Sequence, residues 1–312
     1  SGDLAEIERY QPEGSPPPDH VAQLWDMVVR PRDPWVSRVE TIYLTRMLRG
    51  ELATTAADLS YSVWIGGRPA AHAALLRATA NPLVGLAAYV ITDPAFRGRG
   101  LCTLLMERMM DDFWAEGGAA ALLGTGNPVA HAIYEKCGFR DYNGHVMRWL
   151  SPDVEAAEAD AEYFAFDGPA HVRPGQWGDA AGLAWLYARP SAWFVKDYLE
   201  ALYDHPAILH MRCGSVLPSM MVNVEERAGG LWVLETDEKR LVGAATLGYL
   251  DRVGQSTAPL IDFLVVPDYL DWAEGLLHTA LGAAETAGAR RARCYLASCD
   301  EEKARLVQAV GF

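Results

Sequence analysis

Lysine is scarce in this sequence: four lysines stand beside 23 arginines. With abundant alanine and glycine, that bias points to a GC-rich genome and carries no information on function. Long apolar runs are missing as well. No stretch nears the ~18 residues a membrane helix requires, and no charged, apolar and small-residue leader opens the chain. Neither membrane insertion nor export is expected, so the location expected is cytoplasmic. Cysteines 102, 137, 213, 294 and 299 show no Cys-x-x-Cys or histidine-partner spacing, which predicts reduced structural thiols and no metal site. Positive charge is also short, with 27 basic against 41 acidic residues and a net charge of −14. Residues 1–150 carry 14 basic and 17 acidic groups, and the remainder 13 and 24. Residues 151–168 alone hold six acids and no base. Such a surface repels nucleic acid and anionic membranes.

What is present begins with DPAFRGRGLC at residues 93–102, two arginines and two glycines ahead of an apolar helix. Leu101, Leu104, Leu105, Met109 and Phe113 recur at helical spacing. At a helix N-terminus the first N–H groups are unpaired and the dipole is positive. Glycine lets the main chain approach a ligand, so the loop suits a phosphate. By itself the motif is weak, because glycine-rich turns before helices are common. Context comes about thirty residues on: after an apolar strand at 119–124, the segment NPVAHAIYEKCGF opens a short helix carrying Tyr134 and ending at Gly138.

The order of strand, RGRGLC turn, long helix, strand and N-P-x5-Y-E-K-x-G-F resembles the GCN5-related N-acetyltransferase (GNAT) superfamily. The matching residues are Arg97, Gly100, Asn127, Tyr134, Gly138 and Phe139, and Cys102 stands where that family prefers Gly or Ala. The resemblance covers the first 150 residues. A shift of 173 residues then lays VVPDYLDWAEGLLHTALGAAE on TDPAFRGRGLCTLLMERMMDD and SCDEEKARLVQAVGF on TGNPVAHAIYEKCGF, without a gap between them. This internal repeat predicts an α/β (α+β) fold of two tandem GNAT-like domains, each a mixed β-sheet flanked by helices. Residues 1–150 form the acetyl-CoA-binding catalytic domain, 151–168 an acidic linker, and 169–312 a degenerate second domain. In that repeat Arg97, Gly98, Arg99, Gly100 and Leu101 become Leu270, Asp271, Trp272, Ala273 and Glu274, while Asn127 becomes Asp300 and Tyr134 becomes Val307. Carboxylates repel a diphosphate, and valine has no proton to donate.

The pattern predicts helices near 19–29 and 37–48, strands at 60–65, 69–77 and 84–92, and a hairpin around Asn143-Gly144. The second half is read as helices at 177–187, 191–203, 270–287 and 300–309, with strands at 230–235, 241–249, 259–266 and 292–297. It stops at Phe312, where the family adds two more strands; either the chain is truncated or another segment completes the sheet.

The resemblance implies that splayed central strands admit the pantetheine arm of acetyl-CoA. The backbone of Val90, Ile91 and Thr92 then binds the arm and the thioester oxygen, and the loop from Arg97 through Gly98, Arg99, Gly100 and Leu101 to Cys102 binds the diphosphate. Asn127 contacts the arm, with a plain helix N-cap as the alternative. Tyr134 is the candidate general acid, because a phenol of pKa about 10 matches a departing thiolate; the alternative is an aromatic packed beneath Phe139. No general base stands out: Tyr89, His72 and His145 are candidates, each also a plausible packed residue, and an amine arriving neutral needs none. Trp25, Trp35 and Trp64 are candidates for an acceptor wall or for the core. The reading is an acetyl-CoA-dependent N-acetyltransferase acting on the amine of a small molecule, a metabolite or antibiotic-like compound. It expects no metal, no nucleic acid and no membrane, and leaves a homodimer open. The alternatives are an acyl-CoA decarboxylase or S-acyltransferase to a carrier-protein thiol, and a non-catalytic CoA-binding regulatory module.

Overall fold

β-Branched, aromatic and small apolar residues supply the strands of a large mixed sheet in the first half. The computed structural model describes residues 5–11, 18–29, 34–156, 158–191, 193–196, 202–204, 216–227, 229–248 and 258–311. The strands are β1 (Ala5–Tyr10), β2 (Leu59–Ile65), β3 (Arg68–Leu76), β4 (Val84–Thr92), β5 (Ala120–Gly124), β6 (Arg140–Asn143) and β7 (Val146–Leu150). They pair in the order β1-β2-β3-β4-β5-β7-β6. Every ladder is antiparallel except β4 with β5. Helices α1 (Pro18–Val29), α2 (Pro34–Leu48), α3 (Leu101–Ala115) and α4 (Pro128–Lys136) complete this half.

Period-two alternation divides the sheet between two cores. On β3, Ala73 and Leu75 pack with Met106, Met109, Met110 and Phe113 of α3. The next residues along, Ala74 and Leu76, join a core that runs without interruption into the second half. Alanines at 70, 71 and 73 leave room for the bulky methionines above them.

The second half contains α5 (Ala159–Phe164), β8 (Ala170–Pro174), α6 (Ala180–Ala188), a short pair β9 (Phe194–Lys196) and β10 (Leu202–Asp204), α7 (Val216–Arg227), β11 (Gly230–Thr236), β12 (Leu241–Gly248), β13 (Leu260–Val265), α8 (Ala273–Thr286) and α9 (Glu301–Ala309). Its sheet runs β13-β12-β11-β8, all antiparallel. Helix α6, AAGLAWLYA, is apolar on every side. Such a helix must be buried all round, and it touches both β4 and β5 of the first sheet and β12 of the second.

Three expectations differ from this architecture. The acidic stretch 151–168 is not a plain linker: Ala159 and Phe164 of α5 are buried. One oxygen of Asp160 accepts from Tyr142 Oη at 2.8 Å, Arg148 Nη1 at 2.7 Å and Trp185 Nε1 at 2.8 Å, tying the first sheet to α6. The helix expected over 191–203 is replaced, among the described residues, by β9 and β10, because Phe194 N–H donates to buried Asp300. The strand expected at 292–297 is reduced to one bridge between Leu260 and Arg293, after which Ala297 N–H turns to the Asp300 carboxylate. The readings on the 30–33 loop, residues 197–201, Cys213, Tyr249 and Phe312, and on the side chain of Trp35, lie outside the described residues.

Candidate active site

Strands β4 and β5 pair only at Val84–Ala120, Gly85–Ala121 and Leu86–Leu122. Beyond Leu86 no residue of β4 pairs with β5, so that edge of β4 is left open. On its other edge β4 follows β3, with one interruption: His72 pairs with Ile91 and Ala74 with Ala88, so Tyr89 and Val90 face Ala73 alone. That is a β-bulge. Tyr89 adopts φ of 54°, a left-handed value rare for a residue with a Cβ.

The loop after β4 turns through Pro94–Phe96, where the Asp93 carboxylate accepts from Ala95 N–H at 2.8 Å. Gly98 and Gly100 both have φ of 74°, and a Cβ built on either meets no atom within 4 Å, so both face open space. Gly100 is the N-cap of α3 and has no side chain to cap it. Its carbonyl takes Leu104 N–H at 3.0 Å. The N–H groups of Leu101, Cys102 and Thr103 in the first turn therefore have no helix carbonyl behind them. Exposed Arg97 and Arg99 flank this end. Arg97 Nε donates to Thr92 O at 3.2 Å, and the Arg99 guanidinium lies 5.2 Å from the Phe96 ring. Arg68, from the start of β3, reaches the same ring at 5.9 Å. Burial raises the Cys102 thiol, keeping it neutral.

Asn127 caps α4: its Oδ1 accepts from Val129 N–H at 2.9 Å and Ala130 N–H at 3.4 Å. Tyr134 is the buried residue of α4, 7% exposed, with its ring 6.2 Å from that of Phe139. Leu101, Cys102, Val90 and Tyr134 share one apolar cluster on the α3 face. Tyr89 and Ile91 belong to the opposite face, where Tyr89 stacks on Tyr43 at 6.2 Å. The structure thus brings Tyr134 to the loop and sends Tyr89 away from it.

His72 is fully buried, and both ring nitrogens are engaged: Nδ1 with Tyr89 O at 2.9 Å and Nε2 with Ser60 Oγ at 3.0 Å. Burial pushes its pKa down to about 4. A ring so enclosed does not reach an incoming amine, so the expectation of a base at His72 is replaced by a structural contact. His145 is exposed at the start of β7, and its carbonyl accepts from Thr125 N–H. Trp64 stacks on His20 at 4.1 Å, and Trp25 packs partly buried against the core.

A cleft of about 460 Å³ opens beside β4, lined by Gln23, Asp26 and Met27 of α1 together with Arg68, Ile91 and Arg97. Gln23, Asp26 and Arg68 lie outside the recognised motifs. Arg68 did carry one local signal, its place directly after the Gly66-Gly67 turn.

The segment at an offset of 173 residues differs from the first half at the loop and on the helix that follows, though Gly311, with φ of 94°, repeats Gly138. Pro267–Trp272 forms a 3₁₀ turn that runs into α8, with Ala273 N–H donating back to Leu270 O and neither Gly98 nor Gly100 reproduced. Asp271 and Glu274 are exposed there. At the offset of 173 residues, Tyr89 and Ala130 correspond to Asp262 and Lys303. Fully buried Lys303 reaches Asp262 Oδ1 at 2.6 Å and Phe194 O at 2.7 Å. Val307, at the Tyr134 position, is buried.

Residues 24–139 match the family model of the acetyltransferase (GNAT) family. This stretch, which holds the glycine-arginine loop, Asn127 and Tyr134, is similar to that family. An acetyltransferase from Streptococcus agalactiae 2603 aligns at 20% identity and a TM-score of 0.39, over 47% of this chain and 98% of its own. A GNAT-family acetyltransferase from Desulfovibrio desulfuricans aligns at 14% and 0.40, over 47% and 99%. A GCN5-related N-acetyltransferase from Kribbella flavida aligns at 14% and 0.39 over 96% of this chain, which spans 66% of that protein's length. No curated protein sequence matches the chain. Among the described residues no helix is long and apolar enough to cross a membrane, and no group of three His, Cys, Asp or Glu residues is placed to hold a metal.

Proposed function

We propose that the first half transfers an acetyl group from acetyl-CoA to the amine of a small molecule, and that the second half is a degenerate repeat with a structural role. The observation that carries this reading is the pairing of an open glycine-arginine helix N-terminus with the open edge of β4 beyond Leu86. Bound acetyl-CoA supplies an activated thioester. The N–H groups of Leu101, Cys102 and Thr103, with Arg97 and Arg99, hold the diphosphate by aligned dipoles and positive charge. The backbone of Val90, Ile91 and Thr92 holds the arm, and such fixed donors contribute roughly 10²- to 10³-fold to rate. Tyr134 gives its proton to the departing thiolate. Asn127 supports this end of the site by fixing the start of α4. The acceptor enters from the cleft beside Ile91, where Asp26 attracts an ammonium group. The chain acts in the cytoplasm and needs no metal.

The test is release of free thiol from acetyl-CoA across a library of small amines. Amine-dependent release is expected. Binding of CoA without release from any amine would leave the acyl-CoA decarboxylase or S-acyltransferase and the regulatory module as the readings.

A further inference from the structure

The imidazole of His72 bonds the carbonyl of the single residue in β4 that the backbone forces into a left-handed conformation. We propose that His72 is a positioning residue: clamped between Ser60 and Tyr89 O, it holds the β4 bulge that presents Val90–Thr92 along the edge left open beyond Leu86. The inference rests on the functional reading above and adds a residue outside the recognised motifs.

A non-glycine residue at positive φ is strained and persists only where its surroundings enforce it. At Tyr89 that enforcement is visible. A carbonyl only accepts, so the proton of His72 sits on Nδ1 and is donated to Tyr89 O; Nε2 then accepts from the Ser60 hydroxyl. The ring has no exposed surface, and breaking either bond would strand a polar atom in the core. His72 also lies at the last paired position on the loop side of the break, opposite Ile91, with Ala74 opposite Ala88 on the other side. The clamp therefore sits where the extra residue enters β4. Burial holds the imidazole neutral near pH 7, with a pKa of about 4, so the tautomer does not change across the working range. Tyr89 is anchored at both ends, by its carbonyl to His72 and by its ring against Tyr43. The residues that follow it, Val90 to Thr92, are those assigned to the pantetheine arm.

The test compares acetyl-CoA binding by calorimetry to the unsubstituted chain and to His72→Leu, His72→Asn and Ser60→Ala, with melting curves on each. His72→Leu keeps bulk and removes both bonds, and its affinity should fall about tenfold, the scale of one hydrogen bond. His72→Asn, whose amide N–H stands near the Nδ1 position, should recover to within about threefold, which a purely space-filling role would not require. Ser60→Ala keeps the ring in place and should weaken binding by about threefold; it carries the test if His72→Leu does not fold. Unchanged affinity in both His72→Leu and Ser60→Ala, or no recovery in a folded His72→Asn, overturns the clamp. If the unsubstituted chain fails to bind acetyl-CoA, the functional reading falls and takes the clamp with it.

Discussion

Two buried titratable groups beside β4 respond to pH in opposite directions. Asp58 accepts Tyr43 Oη at 2.8 Å and Arg77 N–H at 2.9 Å, yet burial outweighs these bonds and raises its carboxyl to about 7. The folded chain then binds this proton more tightly than the unfolded chain, so the contribution of Asp58 is complete below pH 3.8 and is lost as pH rises toward 7. His72 behaves conversely: its contribution is complete above pH 6.5 and is lost as pH falls toward 4. Each slope approaches ~1.4 kcal/mol per pH unit, so between about pH 4 and 6.5 the two nearly cancel. Asp58→Asn removes one side of the balance. Urea unfolding at pH 4.5 and 6.5 should show that variant losing clearly more stability on acidification than the unsubstituted chain; parallel losses would contradict the assignment. Tyr134→Phe keeps the packing beside Phe139 and removes only the hydroxyl. Turnover should fall at least about tenfold with acetyl-CoA affinity little changed, as for a group that acts in the transition state. Unchanged turnover where chemistry limits the rate would leave Tyr134 as a packing residue.

Among the elements, the helix-spaced apolar residues of α3, the Gly66-Gly67 and Asn143-Gly144 turns and the helix opened by Asn127-Pro128 were readable, because each is a local pattern with a local cause. The bulge at Tyr89 was not, since a left-handed tyrosine is imposed by its partners across the strand. Helix α5 was hidden by its own acids: Asp160 looks like linker charge until Tyr142, Arg148 and Trp185 meet on it. The same holds for 191–203, where the bond from Phe194 to Asp300 overrides a helical pattern. The turn leading into α6 offers a prediction at this scale. A Cβ built on Gly178 falls 1.8 Å from Thr55 O of the first half. Gly178→Ala should therefore destabilise the chain by about 1–3 kcal/mol, read as a lowered urea midpoint, whereas an unchanged midpoint would show that this close approach is not required.

For the whole molecule, one apolar core crosses from the first sheet through α6 into the second sheet. Further links span the halves: Arg46 Nη1 donates to Glu225 Oε1 at 3.0 Å, the Arg46 guanidinium lies 5.1 Å from the Trp177 ring, and Asn143 Nδ2 donates to Ala188 O at 3.0 Å. Residues 1–150 alone would expose Leu76, Leu86, Ala88 and Leu122 to water, so this fragment should aggregate or melt well below the full chain; a soluble fragment of full stability and activity would remove the structural role given to the second half. The central claim is that only the first repeat binds acetyl-CoA. The second repeat presents Asp271 and Glu274, each opposing a diphosphate by roughly 1 kcal/mol or more at contact distance, and has Lys303 and Asp262 paired within its core. Isothermal titration of the full chain with acetyl-CoA, repeated on Gly100→Glu, tests this most directly. The account predicts one site per chain and no detectable binding to the variant, where a side chain strained at positive φ brings negative charge to the diphosphate. Two equivalent sites, or unchanged affinity in Gly100→Glu, would contradict it.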